Sequence, residues 1–315
     1  MELWLHTFAI PGRTAEVARR AEAWGFDGLL VADSQNLTAD IWVELALAAA
    51  ATTRLRVGPG VTNPVTRNLA VTASAAATLQ AESDGRAVLG FARGDSALSQ
   101  VGLHAPAAAR FAEELDVLQG LLRGETVDLD GTPSTIHWLA GSTAPKVPVH
   151  VAATGPKVIG LAAARVEGVD LTVGAEPDRL RAGIAAARAA GPAGLVLGAF
   201  LNVAVDDDPA VGRALVRGSV STFARFATDL RAAGYERDDH GAASSAFAQG
   251  FDDAFVDRFA VVGAPAQVRE RLAAIAAAGV QRIVVVPGSV DADPAALRRS
   301  DERFAAEVLP ALRRA

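Results

Sequence analysis

The run Val57-Gly58-Pro59-Gly60-Val61-Thr62-Asn63-Pro64-Val65-Thr66-Arg67-Asn68 gathers two glycines, two prolines and several polar side chains at one point of the chain. Glycine adopts backbone angles that other residues avoid, and proline removes an N–H donor. Such a run brings bare backbone close to a flat or phosphorylated ligand, or makes a tight strand-to-helix connection. A second run, Ala152-Ala153-Thr154-Gly155-Pro156-Lys157, has small residues that leave backbone N–H groups uncovered. Thr154 or Gly155 can cap a helix there, with Pro156 at its first position. That helix start either offers donors and partial positive charge to a phosphate, aided by Lys157, or is an ordinary cap. Asp33 and Asp95 each follow an apolar stretch. A carboxylate in that place orients ligand atoms, moves protons, or caps the next turn. His6 offers an imidazole for acid–base work, or a hydrogen-bonded core residue. There is no HExxH and no His/Asp spacing that suits a metal, so no metal site is expected. Ser34 and Ser96 lack a nucleophile-elbow context.

The elements that must position these residues alternate. Strand-like runs fall at Leu3–Phe8, Gly28–Ala32, Leu55–Val61, Arg86–Ala92, Val147–Ala152, Val169–Val173, Gly194–Val205 and Gln281–Val286. Helical patterns fall at Thr14–Trp24, Ala39–Ala51, Ala70–Glu82, Ala107–Leu122, Pro156–Arg165, Pro177–Ala190, Ala210–Ala233, Gln267–Ala278 and Asp293–Leu312. Eight strands in alternation with helices predict an α/β fold, a (β/α)8 TIM barrel in one domain spanning residues 1–315. An open doubly wound sheet is the rival, but the turn after strand one, Ala9-Ile10-Pro11-Gly12-Arg13, is not a GxGxxG phosphate loop. Segments near 123–146 and 235–250 are too long for plain connections and are expected to cover the C-terminal face. Function in such a barrel sits at the C-terminal strand ends, which is where His6, Asp33, Gly60–Asn63, Arg93–Asp95 and Ala152–Pro156 fall.

Composition limits the rest. Half of the 315 residues are hydrophobic, enough for a barrel-sized core. There is no cysteine, so thiolate, disulfide and iron–sulfur chemistry are excluded. A net charge of −6 argues against a nucleic-acid partner, and no membrane-length apolar run or signal peptide is read. A cytoplasmic location is expected.

Three stretches carry a family resemblance: Gly58-Pro59-Gly60-Val61-Thr62-Asn63-Pro64, the helix with Ala73–Leu79, and Gly85-Arg86-Ala87-Val88-Leu89-Gly90-Phe91-Ala92-Arg93-Gly94-Asp95. Together with Ala153-Thr154-Gly155-Pro156 and Phe259–Pro265 they resemble the luciferase-like flavin and deazaflavin oxidoreductases. Within these, the methylenetetrahydromethanopterin reductase type, which uses the deazaflavin coenzyme F420, is most similar. The resemblance implies a barrel, a homodimer and a flat cofactor across the C-terminal mouth. It implies a non-prolyl cis peptide at Gly60-Val61 behind the ring, with Thr62 and Asn63 at the ring's polar edge. Ala152, Ala153, Thr154, Gly155 and Pro156 would hold the cofactor phosphate. Asp33 would line the ring pocket, and Asp95 would stand near it as an acid.

The chain also departs from the pattern. His6 stands where the methanopterin reductases have an acid. Ser34 stands where many deazaflavin enzymes have histidine, and Arg93 where a small residue is usual. These departures argue against methylenetetrahydromethanopterin as substrate and leave the proton donor open among His6, Asp95 and water. Ser34 and Arg93 become substrate-facing candidates, suited to an anionic or carbonyl-bearing small molecule. Three functions are compatible with the resemblance: an F420-dependent oxidoreductase, an FMN-dependent monooxygenase fed by a separate reductase, or a flavin-binding barrel without catalysis.

Overall fold

The computed structural model describes residues 1–94, 96–223, 234, 248 and 250–314. Its barrel strands are β1 (Glu2–Phe8), β2 (Gly28–Ala32), β3 (Arg56–Pro59), β4 (Leu89–Phe91), β7 (Val149–Ala153), β8 (Gly168–Leu171), β9 (Val196–Val205) and β11 (Arg282–Val286). They pair in parallel in the order β3-β2-β1-β11-β9-β8-β7-β4. The sheet closes between β3 and β4 through isolated bridges, Val57 to Ala87 and Thr62 to Phe91. All eight are the strands expected from the alternation.

Closure at that seam depends on glycine. A Cβ on Gly58 would fall 1.9 Å from Val88 O, and one on Gly90 would fall 2.1 Å from Pro59 O. Only bare backbone lets the two strand ends approach this closely. The connecting helices α1 (Thr14–Trp24), α2 (Ile41–Ala50), α3 (Leu69–Glu82), α5 (Ala108–Leu122), α6 (Pro156–Ala163), α7 (Pro177–Ala190) and α8 (Pro209–Ser221) lie outside, after the short helix α4 (Ser96–Ser99) in the case of α5. Caps explain several of their starts. Asp40 accepts from Trp42 N and Val43 N to open α2, and Asn68 accepts from Ala70 N to open α3. Two cores result. The main one lies between strands and helices, and a small one inside the barrel joins Trp4, Leu30, Val88 and Val284.

Several details differ from the expectations. The 123–146 segment has secondary structure of its own and packs beside α5. It forms an antiparallel hairpin of β5 (Val127–Leu129) and β6 (Thr132–Ser134), then a 3-10 turn at His137–Gly141. Val127, Leu129 and Leu139 pack against the main core, and Arg110 of α5 reaches Asp130 at the hairpin tip. A ninth strand, β10 (Ala260–Gly263), pairs with the C-terminal half of β9, directly after an unexpected helix at Asp253–Phe259. The closing helix is continuous as expected, but carries a π turn at Phe304–Val308 between Pro294–Arg303 and Leu309–Arg314. Most of the 235–250 segment, and residues 224–233 of the expected helix Ala210–Ala233, lie outside the described residues.

Candidate active site at the barrel mouth

The Gly60–Val61 peptide is cis. Gly60 is required there, because a Cβ would stand 2.7 Å from Leu30 Cβ and 3.1 Å from His6 Cδ2. His6 points into the barrel. Its ring packs edge-on to Phe8 and Phe200, at 6.0 and 5.9 Å between centroids. Its Nε2 lies 2.9 Å from Gly60 O. A carbonyl only accepts, so Nε2 carries the proton and Nδ1 is the ring's acceptor. Burial pushes the His6 pKa below its ordinary value, and the bond to Gly60 O offsets only part of that.

The turn beyond is organised by asparagine. Asn63 Oδ1 accepts from Val65 N at 3.0 Å and Thr66 N at 2.9 Å. Its oxygen is thus spent on the turn, and its amide N–H₂ is what it has left to offer. Asn63 Nδ2 is buried with no hydrogen-bond partner, as are Thr62 Oγ1, Asp33 Oδ2, Gln35 Oε1 and Arg67 Nε. Five of the twelve such atoms among the described residues therefore gather at one place. Buried polar groups are normally satisfied, so a cluster of orphans marks a place that a ligand or ordered water completes.

Asp33 is 4% exposed and does not cap α2, which Asp40 does. Gln35 Nε2 donates to its Oδ1 at 2.8 Å, and Arg67 Nε stands 4.0 Å from its Oδ2. Burial raises the Asp33 pKa; the Thr62 hydroxyl and Arg67 pull it down only in part, neither making a hydrogen bond to Oδ2. A carboxyl in that setting is able to hold a proton near a ligand.

The second run stands two strands away. Thr62 is bridged to Phe91, and Phe91 pairs with Val151, so Ala152 lies one residue beyond the same level. Gly155 is the N-cap of α6 and Pro156 its first residue, with no side-chain cap. Thr154 turns away from that role, its Oγ1 lying 2.8 Å from Thr172 Oγ1. A Cβ on Gly155 would meet nothing within 4 Å. This helix start is open and its donors are uncovered, the condition for holding a phosphate.

The substrate-facing candidates are placed less directly. Arg93 Nε and Nη2 both donate to Pro106 O, which ties the guanidinium to its own loop. Ser34 opens a turn, its carbonyl accepting from Leu37 N and Thr38 N. Asp95 lies outside the described residues. Gln35 and Arg67 belong to the site although the sequence reading gave them no role. The one available signal was that a buried strand-end Asp33 calls for a donor or cation nearby.

A model of the luciferase-like monooxygenase family matches residues 4–282. The 5,10-methylenetetrahydromethanopterin reductase of Methanolobus tindarius is 29% identical over 296 residues, covering 86% of this chain and 89% of that protein. Among solved structures, the coenzyme F420-dependent tetrahydromethanopterin reductase from Methanopyrus kandleri superposes with a TM-score of 0.80 at 21% identity, covering 99% of each chain. The oxygenating constituent of 3,6-diketocamphane monooxygenase from Pseudomonas putida, in complex with FMN, superposes at 0.69 and 19% identity, covering 98% of this chain and 99% of that one. With the barrel, the cis turn and these matches together, the chain belongs to the luciferase-like monooxygenase family and is an oxidoreductase.

Proposed function

We propose that this oxidoreductase uses coenzyme F420 and acts on a small alcohol–carbonyl pair. The observation that carries the reading is the set of orphaned polar atoms on Asp33, Thr62 and Asn63 beside the cis turn, which offers donors and an acceptor to the polar edge of a flat ring. The open α6 start at Gly155 and Pro156 would take the cofactor phosphate. Among the relatives, the F420-dependent reductase fold is the better superposition, 0.80 against 0.69 for the FMN-bound monooxygenase. When bound, such a cofactor accepts or gives a hydride. The protein's part is to orient the substrate and handle its proton. Neutral His6, with Nε2–H held by Gly60 O, has Nδ1 free to accept the hydroxyl proton of an alcohol as its carbonyl forms.

Titration of the purified protein with F420 and with FMN, followed by cofactor fluorescence, tests the reading. F420 should bind saturably, and Thr62→Ala or Asn63→Ala should weaken it by about tenfold, the loss of one buried hydrogen bond. Saturable FMN binding with none for F420 would move the protein to the monooxygenase branch.

We also propose a homodimer. Val43 and Leu47 on α2 and Val71 on α3 are 59%, 49% and 58% exposed on adjacent helices. Val43 and Leu47 share one helix face, and exposed apolar side chains of this kind would be buried by an isologous contact about a two-fold axis. Sedimentation should give a dimer for the native chain and a monomer for Leu47→Asp; a native monomer removes this proposal.

A further inference from the structure

We propose that the cleft between α1 and the helix Pro294–Arg303 is a second ligand site, one that takes a small amphipathic carboxylate. The cleft encloses about 340 Å³, within the range of small-molecule sites. Ile10, Val17, Trp24 and Leu297 supply apolar wall to it. Two charged side chains meet in it from opposite elements, Arg20 of α1 and Asp301 of the final helix. Arg20 Nε is buried without a partner, and its guanidinium lies 5.2 Å from the Trp24 ring centroid. Asp301 also lines a small apolar cavity beneath, with Leu5, Phe26 and Phe304. Neither side chain has a hydrogen-bond or ion-pair partner among the described residues.

The chemistry of the ligand follows from what these groups offer. Burial pushes the Asp301 carboxyl up to about 7; Arg20 pulls it down and Glu302 on the same helix pushes it up. Near neutrality the acid therefore presents an O–H donor for much of the time, beside the N–H donors of Arg20. Two converging donors suit a carboxylate. A cationic ligand would need Asp301 ionised and would meet Arg20; of the other charged residues lining the cleft, Arg13 and Arg298 are basic and only Glu16 is acidic. The apolar walls then take the hydrocarbon part. This site does not rest on the cofactor reading: Thr62, Asn63 and Gly155 do not line the cleft, although His6 and Phe8 of β1 do.

Calorimetric titration with sodium octanoate at pH 6 and pH 8 tests it. Saturable binding at one site is expected at pH 6. Affinity should fall roughly tenfold by pH 8, because an acid titrating near 7 is then about nine-tenths ionised and repels the ligand. Asp301→Asn should keep binding and lose this pH dependence. Arg20→Gln should weaken binding by about tenfold or more, and Leu297→Trp, which fills the cleft, should abolish it with the thermal midpoint retained. Asn63→Ala at the mouth should leave octanoate binding unchanged. No saturable binding at pH 6, equal binding by Arg20→Gln, persistence of the pH dependence in Asp301→Asn, or loss of binding in Asn63→Ala would each overturn the proposal.

Discussion

His6 shows how one side chain's surroundings choose its protonation state. The ring is packed between Phe8 and Phe200, and its one fixed hydrogen bond goes to a carbonyl. Desolvation disfavours the imidazolium, so the folded pKa lies below the ordinary histidine value. Two consequences have opposite observables but one sign. For stability, the unfolded state binds the proton first on acidification, so His6 costs stability as pH falls through its ordinary value. For catalysis, a proton acceptor must be neutral, so alcohol oxidation should fall as pH drops through the depressed pKa. His6→Gln keeps a donor for Gly60 O but has no titrating base. Its kcat should drop by about 10²–10⁴-fold with the acidic limb lost, while F420 affinity is retained. His6→Phe should lose both rate and affinity, because the turn loses its anchor. A Gln variant that keeps the native rate and the native pH profile would remove His6 from proton transfer.

At the scale of elements, the seam between β3 and β4 is the join that matters most, because the ligand-facing turn grows from it. Gly58 approaches Val88 O so closely that a methyl group would overlap backbone, which cannot move aside as a side chain can. Gly58→Ala should therefore destabilise the protein by about 3 kcal/mol or more by urea denaturation, the upper end for overpacking. Gly194→Ala, where a Cβ meets nothing within 4 Å, should stay within about 0.5 kcal/mol. Equal midpoints for the two variants would refute the seam argument. This level was largely legible in the sequence, because strands and helices differ in hydrophobic period and the eight barrel strands each stand between helical patterns. Strand β10 was not, since its four residues follow the helix Asp253–Phe259 without a break. The hairpin escaped for a similar reason, its arms being three residues each. In the site, Gly60, Thr62 and Asn63 could be picked out because turn chemistry is local. The contribution of Gln35 and Arg67 and the tether of Arg93 to Pro106 could not, because they depend on contacts across the chain.

At the scale of the whole barrel, the end opposite the mouth is closed by charge rather than by apolar side chains. Arg282 and Asp170 are 1% and 0% exposed and form a two-pronged pair, Nε to Oδ1 at 3.2 Å and Nη2 to Oδ2. Arg282 lies over the Trp4 ring at 4.6 Å, and Trp4 Nε1 donates to Glu2, which also binds Arg56. Three strands make room with glycine. A Cβ on Gly28 would strike Trp4, one on Gly168 would strike His150, and one on Gly198 would strike Asp170. Burial pushes the Asp170 carboxyl up, but Arg282 and His150 together outweigh it and hold the pKa at about 2. A depressed carboxylate contributes stability above its unfolded pKa near 4 and loses it as pH falls toward about 2. Removing the cation reverses the sign. Arg282→Met leaves Asp170 buried beside only His150, whose Nδ1 stands 3.8 Å away. At pH 7.5 the variant should lose about 3–5 kcal/mol. The stranded carboxyl would then have a folded pKa above its unfolded one, so the variant should regain stability as pH is lowered from 7.5 to 5. Any proton taken up by His150 would act in the same direction. Adding Asp170→Asn should recover part of the loss at pH 7.5 and flatten that pH response. Urea midpoints at the two pH values decide it: a single variant that is no more stable at pH 5 than at pH 7.5, relative to the native chain, would mean that the pair does not govern the stability of this end of the barrel.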